Sequence, residues 1–118
     1  MNNIISPEDI TAFRNTINRF EEVSDEAFTQ LSSTLQYRHF KKGEVIVREG
    51  QVCRHLFFII SGCIRSFSLE ADKEVNVNFF FENEIVSDFY SLRHETPSAF
   101  FLVAMEDCKT FALAKADY

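Results

Sequence analysis

The hydrophobic period of this chain changes at Tyr37, and that change limits the possible folds more than any other feature. Before it, Ile10, Phe13, Ile17 and Phe20 recur at helical spacing, and Phe28, Leu31 and Leu35 repeat the pattern. Ser6-Pro7-Glu8-Asp9 offers an N-cap, a proline at the first helical position and two acids suited to the helix dipole. Ser24-Asp25-Glu26 opens a second short helix in the same way. After Tyr37 the apolar runs are short and alternating or continuous, at residues 44–48, 55–60, 63–69, 75–79 (running on into Phe80-Phe81), 99–105 and 108–113. Turn and link signals separate them: Glu49-Gly50-Gln51, Ser61-Gly62, the polar 70–74 and Glu106-Asp107. Short strands in succession without intervening helices predict an antiparallel sandwich or roll, with the two helices packed at its end.

Composition narrows the class. At 118 residues and 13.7 kDa there is room for one core. Hydrophobic residues make up 46 % and charged residues 25 %, a globular balance, and three Gly with two Pro exclude collagen-like or Pro-rich chains. Lys plus Arg is 12 against 18 Asp plus Glu, and the resulting −6 lacks the basic footprint of a nucleic-acid-binding module. Fourteen Phe and no Trp predict a bulky aromatic core between sheets. The opening residues 1–5 carry neither a basic segment nor a long apolar stretch, so a cytoplasmic protein without a membrane segment is expected.

Cys53, Cys63 and Cys108 are odd in number and form no C-x-x-C, which predicts buried free thiols. His39, His55 and His94 are scattered, without the H-x-H spacing of a β-roll metal site, so no metal set is expected. Arg65 and Arg48 read as solvent-facing strand residues, and Asn76 and Asn78 as solvated. The runs Phe79-Phe80-Phe81 and Phe100-Phe101 read as core. No nucleophile elbow or paired carboxylates suggest an enzyme.

One segment breaks the β pattern. Ser87-Asp88 are cap-type residues, and Phe89 and Leu92 lie three apart, predicting a short helical turn over residues 87–92. The free N–H groups of such a helix start, set between two strands, suit an anion.

The order of parts resembles the cyclic-nucleotide-binding sensor domain of the Crp-Fnr family of bacterial transcription regulators. Lys41-Lys42-Gly43-Glu44-Val45-Ile46, then Glu49-Gly50-Gln51, then Phe57-Phe58-Ile59-Ile60-Ser61-Gly62-Cys63-Ile64-Arg65 follow that family's strand, turn and hairpin. The likeness runs from about Phe40 to Tyr118. It implies a mainly β fold with flanking helices: a double-stranded, jelly-roll-like antiparallel β-roll over residues 37–118, with the helices of 1–36 packed on it. It also implies a phosphate-binding cassette, F-G-E-(L/I)-A followed by R-(T/S)-A. Here Val86-Ser87-Asp88-Phe89-Tyr90 and Pro97-Ser98-Ala99 stand in those places, so Ser87 replaces Gly, Asp88 replaces Glu, and Ser98 stands at or next to the arginine.

The implied ligand-binding residues are therefore Ser87, Asp88, Phe89, Ser98 and Ala99, with Ser98 and Ala99 across a cavity from the helix start. The implied effector is small and anionic or nucleotide-like. Loss of a buried charge partner costs about 3–5 kcal/mol, so cyclic AMP is expected to bind poorly. The S-D-F-Y-S-L…T-P-S pattern is similar to divergent regulators of the Bacteroidetes. The family further implies a homodimer, and DNA binding only through a C-terminal helix-turn-helix domain that these residues lack, its long preceding helix starting near residues 114–118. The rival expectations are a cupin-like metal-dependent enzyme and a ligand-free dimerisation roll.

Overall fold

Helix α1 (Pro7–Asn18) starts where the caps require. Ser6 Oγ accepts from the Asp9 amide at 3.1 Å, and Ser24 Oγ does the same for Ala27 at the head of α2 (Asp25–Ser32). The computed structural model describes residues 6–19 and 22–114; Phe20 and residues 115–118, where the next helix was expected, lie outside them. The remaining elements are β1 (Gln36–Phe40), β2 (Val45–Val47), β3 (His55–Ser61), β4 (Ile64–Glu70), β5 (Lys73–Phe80), β6 (Ile85–Val86), α3 (Phe89–His94), β7 (Phe101–Ala104) and β8 (Cys108–Ala114).

The strands pair antiparallel in two four-stranded sheets, β1-β8-β3-β6 and β2-β7-β4-β5. Successive strands alternate between sheets except at β4 and β5, which is jelly-roll connectivity and bears out the β-roll. Between the sheets lies one apolar core that includes Phe57, Ile59, Ile64, Val86, Leu102 and Ala112. A second cluster covers the outer face of the first sheet: Phe58 and Phe111, register partners with rings 6.1 Å apart, meet Phe13 of α1 and Phe28 of α2. Ile10, Ile17, Leu31 and Leu35 complete it. The helices thus lie on a sheet face and not at the end of the roll, because β3 is apolar on both faces and needs cover on each.

Gly62 makes the β3–β4 turn with φ +106°, and a Cβ there would stand 2.7 Å from both the Asp107 carbonyl oxygen and Cys108 Sγ. Only glycine fits that approach.

Three expectations need correction. Phe79 and Phe81 are exposed, 41 % and 56 %, and only Phe80 packs against the core. The cause is that β5 is an edge strand whose register slips at Val77, between Ser66↔Asn78 and Phe67↔Asn76. Phe101 is only half-buried, stacked at 4.8 Å on its cross-strand partner Phe67. Cys63 is half-buried, its Sγ 3.6 Å from Met105 Sδ, whereas Cys53 and Cys108 are buried. No helix among the described residues is long and apolar enough to cross a membrane.

Candidate ligand-binding site

Strand β6 is two residues long, and fully buried Val86 pins it to Phe57 of β3. The chain then leaves the sheet through Ser87 and Asp88 into α3. The helix begins at Phe89, two residues later than predicted, because Asp88 is its N-cap: Asp88 Oδ1 accepts from the Ser91 amide at 3.0 Å. Asp88 is 5 % exposed.

The second stretch is held by backbone. Ser98 N–H donates to the Gln51 carbonyl at 2.8 Å, and Gly50 N–H donates to the Ser98 carbonyl at 2.9 Å. These bonds, with the Val52↔Pro97 bridge, seat Ser98 on the Glu49-Gly50-Gln51 turn. Its side chain then meets the cap: Ser98 Oγ donates to Asp88 Oδ2 at 2.6 Å, with the Phe100 carbonyl as a competing acceptor at 2.8 Å. Asp88 and Ser98, expected to face each other across a cavity, are in direct contact.

The other candidates divide. Ser87 is buried and donates to the His55 carbonyl at 2.8 Å, with Cys53 Sγ 3.2 Å away, so its hydroxyl serves the core wall. Phe89 and Ala99 are exposed. Two residues that the sequence reading passed over organise the site. Ser91 accepts from the Cys53 amide at 2.8 Å and donates to the Thr96 carbonyl, tying the β2–β3 connection to both ends of α3. No local pattern marks Ser91, because its bond to the Cys53 amide spans 38 positions. Thr96 Oγ1 is the one buried side-chain oxygen among the described residues without a hydrogen-bond partner. A buried orphan of this kind costs about 1–3 kcal/mol until something bonds it.

The side-chain hydrogen bonds of Asp88 and Ser98 run to the Ser91 amide, to the Phe100 backbone and to one another, and none of these partners is a cation. Arg65 is engaged elsewhere, with Glu74 at 2.8 Å, Asn76 at 2.7 Å and the Phe67 ring at 4.3 Å. It is a strand residue in a local network. Asn76, expected to be solvated, is exposed but accepts that bond; Asn78 is exposed.

The cyclic nucleotide-binding domain model matches residues 37–118, and the chain belongs to that family. Domains of this family are regulatory. The human patatin-like phospholipase domain-containing protein 6 is 31 % identical over 90 residues, 75 % of this chain and 6 % of that protein. The catabolite activator protein of Thermus thermophilus is 26 % identical with a TM-score of 0.73, over 84 % of this chain and 46 % of that one. A regulatory subunit of a cAMP-independent protein kinase A from Trypanosoma cruzi, bound to guanosine, has a TM-score of 0.80 at 20 % identity, over 92 % of this chain and 38 % of that one. The chain thus spans less than half the length of each of these proteins.

Proposed function

We propose that residues 37–118, served by the helices within 1–36, form the effector-sensing domain of a Crp-Fnr-type transcription regulator, and that its cassette takes an effector less charged than a cyclic nucleotide. The observation that carries this reading is the 2.6 Å bond between Ser98 Oγ and Asp88 Oδ2. The family cassette sets an arginine against the cyclic phosphate; here a neutral hydroxyl, that of Ser98, stands at or next to that place and is held by the Asp88 carboxylate. A phosphate would meet Asp88 without an offsetting cation, and an uncompensated charge of that kind costs about 3–5 kcal/mol. A neutral hydroxyl-bearing ligand asks less. It donates to Asp88 and accepts from Ser98, replacing the bond that the two make with each other. Guanosine in the Trypanosoma cruzi neighbour supports the reading, since a nucleoside lacks the phosphate.

In the whole regulator the domain works as a homodimer in a bacterial cytoplasm, of the Bacteroidetes-like type, and DNA is contacted by a helix-turn-helix domain outside this chain. Calorimetric titration with guanosine, cyclic AMP and cyclic GMP tests the cassette. Tighter binding of guanosine than of either cyclic nucleotide supports it, and micromolar binding of a cyclic nucleotide overturns it. The same Asp88–Ser98 bond favours one second reading, a ligand-free dimerisation roll, which predicts no binding heat from any of the three.

A further inference from the structure

We propose that the domain has a second ligand site, separate from the cassette, for a small aromatic anion. A cavity of about 250 Å³ lies between β1, β2 and the connection into β3. Arg38, Arg54 and His55 line it together with Phe40, Val47 and Phe57, and it shares no residue with Ser87, Asp88, Phe89, Ser98 or Ala99.

Its walls are built for a flat ring. Phe40 and Phe57 are buried and meet edge-to-face with centroids 5.7 Å apart. The His55 ring lies 5.8 Å from Phe57, tilted by 34°, and the Arg38 guanidinium stands 5.9 Å from the centre of Phe40. Arg38 and Arg54 are exposed while the phenyl rings are buried, so the cations sit toward the mouth and the apolar surface lies deeper. That is the polarity of a ligand with an apolar ring inward and an acidic group outward.

Charge points the same way. The chain carries −6 overall, yet among the described residues no Asp or Glu lines this cavity. A concave site whose described charged residues are all cations concentrates anions locally, even on a chain of negative net charge. Pockets for drug-sized ligands run to about 300–1,000 Å³, so this cavity suits one aromatic ring bearing a carboxylate or phosphate. Cys53, also in its wall, donates its N–H to Ser91 Oγ at 2.8 Å and holds Sγ 3.2 Å from Ser87 Oγ. An occupant would therefore press on a residue bonded to α3.

The test is an amide chemical-shift titration of the 118-residue chain with benzoate and phenyl phosphate, and with uncharged benzamide as the control. Expected are shifts centred on Arg38, Cys53 and His55, with benzamide weaker by about tenfold or more, as befits a lost charge-assisted bond. Arg38→Ala with Arg54→Ala together removes only exposed side chains and should weaken both anions by a similar factor. Its unchanged spectrum away from the cavity reports that it folds. The proposal is overturned by shifts centred on 87–91 and Ser98, by equal affinity for benzamide, by unaltered binding in the double variant, or by no shift at about 10 mM probe.

Discussion

Ser98 Oγ lies 2.6 Å from Asp88 Oδ2, and the Ser91 amide lies 3.0 Å from Oδ1, so both carboxylate oxygens are engaged within the domain itself. One short side chain thereby caps α3 and fastens it to the turn that carries Ser98. The cassette is held shut by bonds that any effector at Asp88 has to exchange.

That coupling is measurable. Asp88→Ala removes a cap and the partner of Ser98, and should cost about 1–3 kcal/mol. Ser98→Ala strips a donor from a buried carboxylate and should cost a similar amount. The double variant should cost less than the sum, by about 1 kcal/mol, in urea unfolding. Strict additivity would mean that the bond stores no energy.

Ser98→Arg places a guanidinium where the family carries its arginine. Asp88 gives that side chain an anchor, and its remaining donors can face a phosphate. Cyclic AMP affinity should rise by about ten- to a hundredfold by calorimetry, the value of one charge-assisted hydrogen bond. An unchanged affinity would locate the defect elsewhere in the cassette and sink the account given for the missing cation.

Much of the frame was legible because it rests on local periodicity. Ile10, Phe13 and Ile17 had to share a face, and 55–60 had to be a buried strand. What escaped depended on contacts across the chain. Asp88 was visible as a cap-type residue, but its bond to Ser98 spans ten positions and is set by backbone bonds to Gly50 and Gln51. Phe79 alternates like a core residue, yet an edge strand and a bulge leave it exposed. Two-residue β6 carries too little pattern to declare itself.

Gly62→Ala should be among the more damaging single changes outside the core. The new Cβ would sit 2.7 Å from a backbone oxygen and 2.7 Å from a buried sulfur, at φ +106°. Strain and overpacking together should cost about 2 kcal/mol or more in urea or thermal unfolding. A loss below about 0.5 kcal/mol would show that the β3–β4 turn yields easily.

Below this turn the thiols titrate late. Burial raises the Cys63 pKa, and the nearby Cys108, Glu106 and Glu84 add repulsion. Burial also raises that of Cys108; hydrogen bonds to the Cys63 and Glu106 backbone pull it partly back, and the charges of Glu106 and Asp107 push it up again. A raised folded-state pKa means that the unfolded chain loses these protons first as pH climbs. The thiol contribution to stability is therefore intact below the ordinary thiol range, about pH 8.5, and declines as pH rises through the folded values. The wild-type chain should lose more stability between about pH 8 and 10 than a Cys63→Ser, Cys108→Ala variant, measured by urea unfolding. Since the thiolate is the nucleophile, iodoacetamide should react with folded Cys63 more slowly at pH 8 than with a small free thiol, and with buried Cys108 more slowly still. Rapid alkylation of either at neutral pH, or matching stability profiles for the two chains, would refute this assignment.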